Sequence, residues 1–300
     1  MEPSNQTNRI ERIQRIAERV SEIPTLSPVM SRVVELADDP ATSTSQLANF
    51  ISYDQVITLK ILKLANSAYY GLPQRIGTID MAIVVLGFDE VKTIGLSVAV
   101  IEALKDYDPR RFFDLYRFWV HSVAVATGCR FVSRELKQKA TGEVFVAGLV
   151  HDIGKLILSR HLPDEYARVM ARVKEGKVHD YEIEDEQIGF THAEVGGWLI
   201  KRWNLPDHQA DAVYDHHYPL MSRREPNLAM LVNFADLLAW QAGHTSGTSP
   251  IAPELKAKVA DYLKLRQVSE GNVDWEHYLA GLSGEMERAG HYLSVLYPGE

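Results

Sequence analysis

The sequence predicts an all-α protein. Three observations carry that expectation. Apolar residues recur at three- and four-residue spacing along nearly the whole chain, helix caps and breakers bound the runs, and no alternating run between turn signals reads as a strand. At 300 residues the chain exceeds one usual compact core, so one large or two intimate domains are expected.

Ile10, Ile13, Ala17 and Val20 mark the face of a first helix, and Val29, Val33, Leu36 and Ala37 that of a second. Ser43 followed by Gln46 has the form of a capping box opening a helix through Ile51. Val56 to Ala68 is apolar enough for another, which Gly71-Leu72-Pro73 breaks. Asp80 is expected to cap a helix that reaches Leu86, with Gly87 ending it. The most apolar stretch, Met81 to Leu104, is interrupted by Asp89, Glu90 and Lys92; such a trio is costly inside a membrane, so two buried helices are expected there. The first hundred residues thus form a small helical unit, with Ile61, Leu62 and Leu64 in its core. Further helices are expected over Phe113–Leu136, Glu143–Leu158, Thr191–Trp203, Pro206–His216 and Leu228–Ala242, with two more completing the chain. The charged run Lys174–Gln187 reads as an exposed excursion, and Gly243–Pro253 as a surface loop.

Composition narrows the function. The chain is 46% hydrophobic and 24% charged, ordinary for a soluble fold. Its 32 basic and 40 acidic residues give a net charge of −8, which argues against an extended nucleic-acid surface. The pairs Arg110-Arg111 and Arg223-Arg224 read as solvated surface. One cysteine, Cys129, excludes an internal disulfide framework and a multi-cysteine zinc site. Met1 to Asn8 is polar and lacks the apolar core of a secretory signal, so a cytoplasmic protein without a membrane span is expected.

The chemistry-bearing residues lie between positions 121 and 236. His151-Asp152 stands in Gly148-Leu149-Val150-His151-Asp152-Ile153-Gly154-Lys155. An adjacent imidazole and carboxylate can serve two cations, the carboxylate bridging through its two oxygens, and borderline divalent metals accept that mixture. Lys155 follows by about one helical turn and could hold a phosphate oxygen. His179-Asp180 is a second such pair, but in the charged run it reads as solvated surface. His121 follows Phe118-Trp119-Val120, His192 opens a helix, His216-His217 end one, and Asp236 sits in the apolar run Val232–Leu238. Each has an ordinary reading alone, as a core histidine, a cap or a helix-dipole partner. An unpaired carboxylate in an apolar helix is expensive, and the ordered series needs a common explanation.

The array His121, His151-Asp152, His192, His216-His217 and Asp236 resembles the metal-binding pattern of the HD superfamily of phosphohydrolases. Ile23-Pro24-Thr25-Leu26-Ser27-Pro28-Val29, Leu62–Tyr70 and Ala82–Gly87 are similar to the amino-terminal signature of its HDOD family. Thr191–Gly196, Trp203-Asn204-Leu205-Pro206 and His216-His217 are similar to the later half. The resemblance implies an all-helical signalling module with residues 1–22 as an N-terminal helix and 23–108 as the HDOD amino-terminal subdomain. Residues 109–242 would then be an HD-like metal-binding subdomain, and 243–300 a loop and helices packed on it. Asn66 is expected to hydrogen-bond across the junction between the two subdomains. The resemblance also implies two divalent ions (Fe, Mn, Ni or Zn): His121, His151, Asp152 and Asp236 on one, with Asp152 bridging to a second on His192 and His216. His217 is left as a ligand, a supporting residue or a proton donor. Asp152, Lys155 and His217 are the candidate catalytic residues. The sequence departs from the related cyclic-di-GMP hydrolases: Tyr218-Pro219 follow His217 directly, and Arg117 stands where some of them carry a metal-binding Glu. Two functions follow from the resemblance: a metal-dependent hydrolase of a nucleotide-type phosphoester, or a catalytically silent regulatory module with a signalling-protein partner.

Overall fold

The structure, a computed structural model, describes residues 3–20, 22–37, 42–138, 142–176, 178–222, 224 and 226–296. The side chains of Ile10 and Ala37, and Arg223 altogether, lie outside the described residues. The fold is helical, with a single short hairpin, β1 (Gln267–Ser269) and β2 (Asn272–Val273), among the described residues. That hairpin was not expected; its strands are too short to show alternation.

The amino-terminal unit comprises α1 (Pro3–Arg19), α2 (Pro28–Ala37), α3 (Thr44–Ser52), α4 (Gln55–Ala65), α5 (Ile79–Leu86) and α6 (Phe88–Leu104). The capping box of α3 forms as expected: Ser43 Oγ accepts the Gln46 N–H at 3.2 Å, and Gln46 Oε1 accepts the Ser43 N–H at 2.8 Å. The cap of α5 is Thr78, whose hydroxyl accepts the Met81 N–H at 3.1 Å; Asp80 lies in the first turn instead. Gly87, at φ +89°, separates α5 from α6 in a conformation a side chain would strain. Helix α4 stops at Ala65 because Asn66 turns its amide onto the following loop. It accepts from the Ile76 N–H and donates to the Ile76 carbonyl, both at 2.8 Å. Asn66 therefore pins a loop within its own unit rather than crossing the junction. Ile61 and Leu64 are fully buried, while Leu62 is half-buried.

The second half contains α7 (Leu115–Glu135), α8 (Gly142–Val150), α9 (Gly154–His161), α10 (Pro163–Val173), α11 (Asp180–Ile188), α12 (His192–Arg202), α13 (Asp207–Asp215) and α14 (Pro226–Gln241). Helices α15 (Ala257–Leu263) and α16 (Trp275–Leu296) close the chain. The single helix expected over 143–158 is two, α8 and α9, joined by a turn at residues 151–153. The run expected to be an exposed excursion forms α11, whose Ile183 and Ile188 are buried, so its charge count concealed an inward face.

One hydrophobic cluster runs from Ile16 through α6 and α8 to Val213 and Leu293, so the two halves share a core. Polar ties cross the same seam. Arg130 on α7 grips Glu90 on α6 through two bonds of 2.9 and 2.6 Å, and Trp203 Nε1 donates to the Pro24 carbonyl at 2.7 Å. A second cluster packs α14, α15 and α16 against α7. No helix among the described residues is long and apolar enough to cross a membrane.

Candidate metal centre

Two close helix contacts bring the site together. A Cβ on Gly148 would meet the Ala126 backbone at 2.8 Å, so α8 lies directly on α7, the helix that carries His121. A Cβ on Gly154 would fall 1.9 Å from the His192 carbonyl oxygen, so α9 starts against the start of α12. The structure places His121, His151, Asp152, His192, His216, His217 and Asp236 around one point, with Lys155 beside them.

Four imidazoles are oriented the same way, each donating from Nδ1 to an acceptor behind it. His151 and His216 end α8 and α13, where the last carbonyls have no helical partner. They donate to Gly148 O at 2.8 Å and Val213 O at 2.6 Å, each three residues back. His121 Nδ1 lies 2.7 Å from the His244 carbonyl, and His192 Nδ1 2.7 Å from Glu184 Oε2. With Nδ1 committed, each Nε2 faces inward, the orientation metal-ligating histidines use.

Asp152 stands between two sets of these nitrogens. Its Oδ2 lies 3.8 Å from His121 Nε2 and 3.6 Å from His151 Nε2, while Asp236 Oδ1 lies 3.3 Å from His121 Nε2. Its Oδ1 lies 3.2 Å from His192 Nε2 and 3.9 Å from His216 Nε2. His217 Nε2 is 2.9 Å from His192 Nε2, and its ring stacks on Tyr181 at 4.1 Å. The donor set fits divalent cations on a direct observation: the Nε2 atoms of His151 and His216 are buried and have no hydrogen-bond partner. Leaving two buried imidazole acceptors unpaired is costly unless a cation takes their lone pairs.

Electrostatics divide the imidazoles. Burial opposes charge on His192 and His121, but Glu184 and Asp152 raise His192 to about 10, and Asp236 and Asp152 raise His121. A cation must therefore displace a proton from His192, whereas His151, His216 and His217 are held neutral. Burial, then the neighbouring His151 and His192, lowers His216 to about 3, keeping it neutral. His151 and His217 are also lowered, chiefly by burial. Burial pushes the Asp152 carboxyl up, but Lys155 and His151 outweigh it and hold Asp152 well below the usual range. Burial likewise opposes charge on Lys155, yet Asp152 and Asp180 hold its pKa well above the usual range. Lys155 Nζ lies 2.8 Å from Asp152 Oδ2 and 2.9 Å from Asp180 Oδ2, and donates to Thr248 Oγ1 at 3.0 Å.

Three expectations need correction here. Asp180 is not solvated surface: it is 5% exposed and neutralises the lysine of the site, while His179 is partly buried at the cavity rim. His151-Asp152 occupies a turn rather than the middle of a helix. The segment Gly243–Pro253 is not a bare surface loop, since it folds over the centre with Ser246 and Thr248 buried. Sequence reasoning also missed Glu184, which accepts from both His192 Nδ1 and the His192 backbone N–H at 2.7 Å. Its signal was present: Asp180 and Glu184 are one turn apart, beside the apolar Ile183 and Ile188. The cavity over the cluster is small, about 30 Å³, and its walls include Lys155, Tyr181, His217, Trp240 and Thr248.

A sequence model of the HDOD domain family matches residues 23–219, which include every candidate ligand except Asp236. The chain is 25% identical over 207 residues to an uncharacterized protein of Treponema pallidum (strain Nichols). That match covers 67% of this chain and 39% of the relative, so the chain spans about two fifths of that relative's length. Among solved structures, an HDOD domain protein of unknown function from Geobacter sulfurreducens superposes with a TM-score of 0.77 at 23% identity, covering 97% of this chain and 99% of that one. A candidate phosphohydrolase from Shewanella amazonensis SB2B gives 0.73 at 23% identity, covering 94% and 98%. A candidate signal transduction protein from Marinobacter aquaeolei VT8 gives 0.75 at 19% identity, covering 97% and 66%. These likenesses establish the shared fold.

Proposed function

The chain belongs to the HDOD family, and from that premise we propose that it is a signalling protein with a dinuclear metal centre that hydrolyses a nucleotide-type phosphoester. The observation that carries this reading is the division of Asp152, one oxygen toward His121 and His151 and the other toward His192 and His216. His121, His151, Asp152 and Asp236 would hold one cation; Asp152, His192 and His216 would hold the second, with His217 alongside. When bound, such a pair supplies Lewis acidity and lowers the pKa of water toward neutrality.

The chain's own groups do the rest. Lys155, kept protonated by Asp180 and Asp152, would steady a phosphate oxygen as a point charge. Glu184 fixes the tautomer and orientation of His192. Tyr181 holds the His217 ring in place by stacking, leaving Nε2 turned toward the cluster.

A second reading, a regulatory module with metals kept for shape or sensing, is favoured by a specific feature. A cavity of about 30 Å³ has room for little more than a water molecule, and Lys155 is fully engaged by Asp152, Asp180 and Thr248. A phosphoester would have to displace the segment carrying Thr248.

The deciding experiment is elemental analysis of the purified chain, followed by assay of the loaded protein with Fe, Mn, Ni or Zn. Substrates are aryl phosphoesters, mononucleotides and cyclic dinucleotides. Turnover that disappears in Asp152→Ala supports the hydrolase. Fully loaded protein that turns over none of them leaves the regulatory reading in its place.

A further inference from the structure

We propose that Arg12, on α1, is a positioning residue for the metal centre. It clamps α11 to α12, keeps His192 on Glu184, and so sets how tightly the second cation is held, an inference that rests on the dinuclear reading above. Helix α1 lies outside residues 23–219, the part that matches the HDOD family, so the clamp is not part of the pattern that defines the family.

Arg12 reaches both sides of the corner where α11 gives way to α12. Its Nε donates to Glu194 Oε1 at 2.6 Å and its Nη2 to Glu194 Oε2 at 2.8 Å, a two-bonded fork on one carboxylate. The same Nη2 also pairs with Asp185. Asp185 directly follows Glu184 on α11, and Glu194 stands two residues past His192 on α12. One guanidinium thus ties together the two helix ends whose spacing the double contact of Glu184 with His192 requires. Glu194 is 7% exposed and organises the same corner. Its Oε2 accepts the Thr191 N–H at 2.8 Å, and Thr191 Oγ1 accepts the Glu194 N–H at 3.2 Å, the capping box that starts α12. Tyr214 donates to Glu194 Oε1 at 2.8 Å from α13, two residues before His216. Both histidines assigned to the second cation therefore hang from elements that Glu194 joins.

The rest of α1 holds Arg12 in place. Arg12, Arg15 and Arg19 fall on one helical face around the fully buried Ile16. Arg19 pairs with Glu165 on α10 at 2.6 Å and lies 5.8 Å from the ring centre of Phe190, in the turn between α11 and α12. Among the described residues Arg12 is the one cation paired with Asp185 or Glu194, so its loss leaves two like charges where the helices meet. A lysine keeps the charge but, as a point charge, cannot fork onto one carboxylate and reach the other. Lifting α1 from this corner would loosen His192 from a helix that supplies none of the candidate ligands. That is a route by which a signal reaches the centre without occupying it.

The test begins with nitrogen-detected imidazole NMR on the full chain treated with EDTA, which reads the clamp without metal. In Arg12→Met the Nδ1–H resonance of His192, assigned by its loss in His192→Gln, should move upfield or broaden away. Those of His121 and His151, bonded to backbone carbonyls, should stay in place, a selectivity that a general loss of stability would not give. Asp185→Asn removes only the α11 side of the clamp, at a half-exposed residue outside the candidate ligands, and should shift the same resonance less. Loaded with Mn or Zn and dialysed against a competing chelator, the wild-type chain should keep about two ions. Arg12→Met should bind the second about tenfold more weakly and the first unchanged. The proposal is overturned if the His192 resonance ignores both substitutions, if all three resonances move together, or if both ions are held as tightly as in the wild type. Should Arg12→Met melt early, Arg12→Lys and Asp185→Asn decide: an unmoved His192 resonance in both overturns it. A wild-type chain that takes no second ion overturns the dinuclear reading and the metal half of this inference, and the resonances still decide whether Arg12 positions His192.

Discussion

Glu184 Oε2 lies 2.7 Å from both the backbone nitrogen and the Nδ1 of His192, so one buried carboxylate holds the start of α12 and the ring that projects from it. Supporting carboxylates of this kind commonly contribute 10–100-fold to metal affinity. Glu184→Gln keeps the shape and one acceptor but loses the charge. Metal affinity, measured by competition with a chelating dye, should fall by about tenfold or more. Unchanged affinity would show that the carboxylate serves only the helix start.

Asp152 is the one carboxylate shared by both histidine groups. Asp152→Ala should therefore release essentially all bound metal, whereas His179→Ala, at the rim and outside the cluster, should release none. Plasma emission analysis of both variants checks this, and full metal content in Asp152→Ala would refute the bridging assignment.

Lys155 is 4% exposed between Asp152 and Asp180, so its removal leaves buried negative charge without a partner. Breaking such an arrangement typically costs about 3–5 kcal/mol. Lys155→Met should lower the stability of the EDTA-treated protein by that order in urea titration. Adding Asp180→Asn should recover part of it, because the second orphan charge is gone. A double variant as weak as the sum of the two single ones would mean the residues act independently.

Gly154 has no room for a side chain, since a Cβ would meet the His192 carbonyl at 1.9 Å. Gly154→Ala must push α9 away from α12, an overpacking that usually costs about 1–3 kcal/mol. Because the same displacement moves His192 relative to Asp152, metal affinity should fall along with the thermal midpoint. A variant that is destabilised but binds metal normally would place the strain away from the cluster.

Ile61 is fully buried in the amino-terminal unit and Leu62 only half so. Ile61→Ala should cost about 2–5 kcal/mol and Leu62→Ala less. Since one hydrophobic cluster spans both halves, Ile61→Ala should lower a single thermal transition seen by calorimetry. Two separate transitions, only one of them shifted, would contradict the shared core.

Much of this protein is determined by the sequence alone, because the determinants are local. Helical periodicity and caps such as Ser43 with Gln46 depend on residues three or four apart, so the helical class and most helix positions follow from the chain. The ligand candidates were legible for a related reason. Buried carboxylates and histidines in apolar runs are expensive, so Asp152 and Asp236 stand out wherever the chain folds. What only the tertiary structure decided is which groups meet. Asp180 and Glu184 lie in a run whose charge suggests water, and they become buried because Ile183 and Ile188 turn the helix inward. Thr248 gains its role when a polar loop folds back 93 residues to reach Lys155. Asn66 was expected to cross the junction and instead closes a ten-residue loop on itself. The physical reason is the same in each case. A polar side chain's partner is chosen by packing across the fold, and the free energy that makes the choice comes from apolar surfaces elsewhere in the chain.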